Sequence, residues 1–199
     1  MSHPDGFEIR CESGLTYLNL SSADGMNRLT REKVIALHRE VAGLAARGVS
    51  PLIIAGDPIF SAGADLNEIA QLNGPEAFSF AKMGQDLMNA IDRYPSPVYA
   101  CIRGFCMGGG LDLALACAYR VAAPHTVFGH RGAALGLITG WGGTQRLPRL
   151  IGKGRALETF VGAEKVSAAH ALHIGLIDGI AEDPVAEAIR RIQFSRTTR

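Results

Sequence analysis

Two short segments of the sequence have the make-up of a site that holds an anion. The first is Phe60-Ser61-Ala62-Gly63-Ala64-Asp65-Leu66, and the second is Gly104-Phe105-Cys106-Met107-Gly108-Gly109-Gly110-Leu111-Asp112-Leu113. Each follows an apolar run that reads as a buried strand, and each opens a helical pattern. A helix start presents N–H groups with no partner inside the helix, and the helix dipole adds partial positive charge there. Glycine lets a ligand approach that backbone closely. Two such loops side by side would supply two convergent N–H donors, the geometry an oxyanion hole requires. One such loop alone is equally a tight turn made for packing. The pair says anion or oxyanion site and no more. Glycines at 104, 108, 109 and 110 do not fit GxGxxG, and neither GxxxxGK[ST] nor GxSxG occurs.

Several side chains near these loops are open to more than one reading. Asp112 sits in an apolar helix just after the glycine run. A carboxylate there must be hydrogen-bonded or in use, because burying it otherwise is costly. His130 and Arg131 are either a packed or solvated pair or a source of acid, base or anchor chemistry. Trp141, between Gly140 and Gly142, lines a pocket or packs the core. Asp65 points into the pocket mouth or serves as a helix N-terminal acid. Arg146, Arg149 and Lys153 form a basic strip that meets phosphates, a neighbouring subunit or solvent. His170 and His173 lie one helical turn apart, but no third ligand accompanies them, so no metal site is expected.

The elements that position these residues follow from periodicity. Phe7–Arg10 and Leu15–Leu20 read as strands joined at Glu12-Ser13-Gly14. Thr30–Arg47 is an amphipathic helix with Val34, Leu37, Val41 and Leu44 on one face, capped by Thr30 and ended by Gly48. Pro51–Gly56 and Pro97–Ile102 are continuous apolar runs, typical of strands buried on both faces. A short helix follows Asp65, and Pro75–Arg93 is a long one. Gly104–Gly110 reads as a loop running into a helix over Leu111–Ala118. Tyr119–Ala123 and Thr126–Gly129 read as strands. Gly143–Ile151, Gly154–Val161 and Ser167–His173 are helical, Ile177–Ala181 is a strand and Pro184–Phe194 a last helix, with Ser195–Arg199 a frayed tail. Alternating strands and helices imply right-handed βαβ units and an α/β layered fold.

With 199 residues, 47% of them hydrophobic, the chain can bury one real core, with or without a small appendage. The formal net charge of +1 exerts no general pull toward nucleic acid or membrane. Met1–Arg10 is polar and lacks the apolar region of a signal peptide, and no uncharged run is long enough to span a bilayer. Cys11, Cys101, Cys106 and Cys117 form no CxxC pair, so they are read as reduced thiols of a cytoplasmic protein.

The motifs, taken together, resemble those of the crotonase superfamily, the enoyl-CoA hydratase/isomerase family. Besides the two glycine loops, they are Arg120-Val-Ala-Ala, Phe128-Gly129, Gly142-Gly-Thr-Gln-Arg-Leu-Pro-Arg149, Ile151-Gly-Lys-Gly and Gly175-Leu-Ile177. They keep the family's order and spacing over roughly residues 7 to 181. The resemblance implies a crotonase-like spiral of ββα units over residues 1–181 and a short C-terminal helix and tail over 182–199. It implies assembly as a homotrimer or a dimer of trimers. By motif position, the N–H groups of Ala64 and Gly109 resemble the family's oxyanion-hole donors, which hold the thioester oxygen of an acyl-CoA. The backbone near Ala62, Asp65 and Leu66, together with Gly108, Gly132 and Trp141, would meet the substrate. Coenzyme A would enter as part of the substrate, with no other cofactor, no nucleic acid and no membrane partner.

The sequence departs from the family pattern at two places. Family hydratases place one glutamate on the GGG helix and a second after Phe-Gly, and together these position a water and deliver a proton. Here the first position is Asp112 and the second is Gly132, which cannot transfer a proton. The usual proline of the next turn is replaced by Thr139. Asp112 is therefore expected to carry the acid–base chemistry, with His130 as a replacement partner. Hydration and double-bond isomerisation both remain open, and so does a non-catalytic acyl-CoA-binding paralogue. The family also continues into further helices that pack the trimer and lend a Lys or Arg to the CoA phosphates, so the expectation is either a member lacking those helices or one in which Pro184–Phe194 and a neighbouring subunit take over their part.

Overall fold

The computed structural model describes residues 2–3, 6–48 and 50–197. Strand β1 (Ser2–His3) pairs antiparallel with β2 (Phe7–Glu12), which forms a hairpin with β3 (Leu15–Leu20). The pair Glu12↔Leu15 leaves a two-residue turn, and Ser13 and Gly14 adopt the positive φ of 52° and 72° that such a turn demands. Helix α1 (Arg31–Arg47) starts where the Thr30 side chain accepts from the Lys33 N–H, and it buries Val34, Leu37, Val41 and Leu44. Strand β4 (Leu52–Gly56), the short α2 (Leu66–Ile69), α3 (Gly74–Asp92) and β5 (Val98–Ile102) follow. Asn73 and Glu76 close a reciprocal capping box at the start of α3.

The reading of Gly104–Gly110 as a loop needs correction. Phe105–Met107 forms strand β6, which pairs parallel with β8 (Val127–Gly129), and β8 pairs antiparallel with β9 (Val166–Ser167). A three-residue strand has no period to read, and its partner lies some twenty residues away in the chain. Helix α4 spans Gly109–Ala116, two residues earlier than the apolar pattern suggested. Glycine is a poor helix former, yet a Cβ on Gly109 would lie 2.5 Å from the Trp141 ring and one on Gly110 2.7 Å from the Ser61 Cβ. Tertiary contact therefore overrides propensity. At the other end, the buried Arg120 guanidinium donates to the carbonyls of Cys117 (2.6 Å) and Leu176 (3.0 Å) and pairs with Asp178 (3.3 Å). Gathering those carbonyls stops α4 and turns the chain into β7 (Tyr119–Ala122).

A 3₁₀ turn at Arg131–Leu135 precedes α5 (Gly143–Ile151), α6 (Lys153–Gly162), α7 (Ala168–His173), β10 (Gly179–Ile180) and α8 (Pro184–Thr197). The main sheet has the order β1-β2-β3-β4-β5-β7-β10, parallel from β3 onward. Its two faces explain the continuous apolar runs. Leu18, Leu52, Ile54, Val98, Ala100 and Ile102 join Leu37, Val41, Leu87 and Met88 of α1 and α3 in one core. Leu15, Ile53, Tyr99 and Cys101 pack on Ala188 and Ile192 of α8. The expected tail at Ser195–Arg199 instead continues α8 to Thr197, with 198–199 outside the described residues. Ion pairs of Glu187 with Arg190 and Arg191, both 2.7 Å, support the first half of the helix. Among the described residues, no helix is long and apolar enough to cross a membrane.

Candidate active site

Both glycine loops are pinned to each other by backbone hydrogen bonds. The Ser61 N–H donates to Phe105 O (3.0 Å), and Met107 N–H returns a bond to Ser61 O (3.0 Å). Ser61 Oγ donates to Asn27 O (2.7 Å) and accepts from Gly63 N (3.0 Å), which shapes the turn into Ala64. Gly63 has a φ of +96°, and a Cβ there would lie 2.6 Å from Met107 O and 3.1 Å from the Gly109 nitrogen. A Cβ on Gly109 would lie 3.2 Å from the Ala64 nitrogen. The amides of 64 and 109 are therefore neighbours on one cavity wall. Neither meets an acceptor among the described residues, as expected for Gly109 at the first turn of α4.

In the same cavity lining, Asp112 is 1% exposed and His130 4%. Asp112 Oδ2 accepts a short hydrogen bond from the Thr139 hydroxyl. Oδ1 lies 3.3 Å from His130 Nε2, but the two are not aligned for a hydrogen bond, so both atoms are buried without a partner. Native interiors leave few such atoms, and those few repay a functional reading. The imidazole is braced by the Phe160 ring, centroids 5.1 Å apart. Gly143 opens α5 beside the pair: a Cβ there would lie 2.1 Å from Oδ1 and 3.1 Å from Nε2. Cys106 also lies close, yet burial pushes its thiol well above the ordinary range, so it is a neutral packing group and not a nucleophile.

Trp141 forms the inner wall. Its ring is wedged between Gly84 of α3, where a Cβ would lie 2.1 Å away, and Gly109 of α4. Its Nε1 donates to Phe80 O (3.2 Å). The cavity measures about 460 Å³ and is mostly apolar, with Leu66, Ile69, Leu72, Leu137 and Ile138 toward its sides.

Ala62, Ala64, Leu66, Gly108, Gly109, Asp112, His130, Gly132 and Trp141, all singled out from the sequence, line this one cavity. Asp65 does not; its carboxylate caps α2 by accepting from Asn67 N (2.8 Å). Of the basic strip, Arg146 is engaged with Asn89 (2.9 Å) and Asp92 (3.4 Å). The rings of His170 and His173 are 6.3 Å apart, and no metal-binding cluster occurs among the described residues. Sequence reasoning missed Thr139, Gly143 and Phe160 as members of the site. Thr139 registered only as a replaced proline, because nothing in a lone Thr after Leu137-Ile138 signals a carboxylate partner 27 residues away.

The sequence model of the enoyl-CoA hydratase/isomerase family matches residues 12–193. The chain belongs to the enoyl-CoA hydratase/isomerase family. It is 34% identical over 174 residues to a crotonyl-CoA hydratase of Syntrophomonas wolfei, covering 86% of this chain and 67% of that one. It is 44% identical over 146 residues to a probable enoyl-CoA hydratase of Bacillus subtilis, covering 72% of this chain and 56% of that one. Among solved structures, the enoyl-CoA hydratase from Thermoplasma volcanium superposes with a TM-score of 0.89 at 30% identity, over 94% of this chain and 75% of that one. The mixed α/β architecture is thus that of the crotonase fold.

Position 132, which the sequence reading set against the family's second glutamate, has no room for a side chain. Leu137 N donates to Gly132 O (2.8 Å), and a Cβ on Gly132 would lie 2.8 Å from Leu137 O. A side chain cannot be added without moving backbone. Gly132→Glu is therefore expected to lower turnover rather than restore a two-glutamate mechanism, and to lower the melting temperature through strain of about 1–3 kcal/mol. A thermal melt beside a rate measurement checks this; a gain in rate would show that the 131–137 segment repacks freely.

Proposed function

We propose that this chain is an acyl-CoA enzyme that holds a thioester oxygen between the amides of Ala64 and Gly109 and moves a proton with Asp112. The observation that carries this reading is that two neighbouring unpartnered amides and a buried, half-satisfied carboxylate line one cavity. Holding the thioester oxygen makes carbanion character at the α-carbon less costly. One such donor is worth about 3–4 kcal/mol of barrier. A proton leaving that carbon passes to Asp112, and its bonding pair becomes the enolate held by the two amides. His130 Nε2 lies 3.3 Å from Asp112 Oδ1 and is placed to share a water or a substrate hydroxyl with it.

The reactions this arrangement suits are hydration or dehydration across C2–C3 of an enoyl-CoA, and double-bond isomerisation. Isomerisation needs one shuttling base, whereas hydration also needs a held water, which the Asp112–His130 pair can supply. CoA is the handle of the substrate, its adenine end set against the backbone near Ala62 and Leu66. The active form is proposed to be a cytoplasmic homo-oligomer.

A panel of 2-enoyl- and 3-enoyl-CoA thioesters in deuterated water tests this. Hydration removes the conjugated enoyl absorbance; isomerisation relocates the double bond and exchanges an α-proton for deuterium. Tight binding without turnover would favour the non-catalytic paralogue that Gly132 otherwise suggests. Absence of both binding and turnover would remove the acyl-CoA assignment.

A further inference from the structure

We infer that Thr139 is a positioning residue that selects which oxygen of Asp112 reacts. The inference rests on the reading of Asp112 as the proton carrier and adds the device that makes it usable.

The two carboxylate oxygens of Asp112 are not equivalent. Oδ2 is occupied by the Thr139 hydroxyl. Oδ1 is buried, unpartnered and 3.3 Å from His130 Nε2, itself unpartnered. The terminal torsion of an aspartate is soft and roughly two-fold. An unrestrained carboxylate would rotate to meet Nε2 squarely, because leaving two buried polar atoms unpaired is costly. Such a hydrogen bond would satisfy both groups and withdraw both from substrate. The bond to Thr139 fixes the plane of the carboxyl and prevents that closure.

A second feature serves the same end. The space in front of Oδ1 is where a side chain at position 143 would stand, since a Cβ there would come within 2.1 Å of the oxygen. Glycine leaves it empty. A hydroxyl holding one oxygen and a missing side chain beside the other thus leave Oδ1 without a hydrogen bond, next to His130 Nε2. A general base has to reach within about 3 Å of the proton it takes, and Oδ1 is the oxygen with no hydrogen bond to give up. The enolate electrons go to the oxygen held by Ala64 and Gly109, the proton goes to Oδ1, and Thr139 acts on the carboxylate and not on the proton.

The experiment uses the whole chain with Thr139→Val, Thr139→Ala and Thr139→Ser. Loss of the hydroxyl in Val or Ala is expected to lower kcat on an enoyl-CoA about 10²-fold, the cost of a small misplacement of a catalytic group. KM should stay within about threefold, and Thr139→Ser should keep near wild-type kcat. A readout free of substrate accompanies it: the imidazole ¹⁵N resonances of His130 should move in Val and Ala, as the carboxylate closes on Nε2, and return in Ser. The Ala variant carries the test if Val fails to fold. Unchanged kcat and unchanged imidazole signals would overturn the inference. Equal loss in all three variants would do so too, as would a fall in kcat without movement of the His130 signals. If the wild-type chain turns over no CoA thioester, the functional reading fails, while the imidazole signals still report on the positioning of Asp112.

Discussion

Asp112→Asn is expected to reduce turnover of an enoyl-CoA by about 10³-fold, within the range that general acid–base catalysis supplies, while acyl-CoA binding is retained. The amide is nearly isosteric with the carboxylate and can still accept from the Thr139 hydroxyl that now holds Oδ2. It cannot take a proton. The donors proposed at Ala64 and Gly109 stand on backbone and are untouched. Stability should hold, because the substitution keeps the shape of the side chain and its bond to Thr139 in a site 1% exposed. Calorimetric titration with a non-reacting acyl-CoA, alongside the rate, checks both halves. Full activity in the variant would take Asp112 out of the mechanism.

Gly63→Ala is expected to disable the site from the other side. The residue has a φ of +96°, where an L side chain is strained, and the new methyl would lie 2.6 Å from Met107 O. That contact must open by over half an ångström, and the atoms on either side of it are the two loops that carry the amides. The backbone strain costs about 1–3 kcal/mol. A displacement near 1 Å of one donor relative to the other costs about 10²-fold in rate. Catalysis should therefore fall at temperatures where the protein remains folded, with KM for the thioester rising less than kcat falls. Comparable kcat in variant and wild type would mean that the two loops adjust independently and that their close contact is not what aligns the donors.

The elements around the site were largely legible because their signals are local. The helical face of Val34, Leu37, Val41 and Leu44, the Thr30 cap and the apolar runs at 52–56 and 98–102 each depend on neighbours a few residues apart. The segments the sequence hid are those whose conformation is imposed from far away. β6 exists because β8 lies beside it, and α4 begins at Gly109 because Trp141 and Ser61 occupy the space that side chains would need.

The same division runs through the chemistry. Residue type and spacing alone identified two glycine loops at strand-to-helix junctions and a carboxylate in an apolar helix, since backbone freedom, helix-end amides and the cost of burying charge are properties of single segments. Tertiary structure decided that the amides of 64 and 109 share one wall, and that Thr139 and Gly143 frame the two oxygens of Asp112. It also decided that position 132 is closed by Leu137. Those facts join residues far apart in the chain, and contacts of that kind are set by how the layers pack, not by any pattern along the sequence.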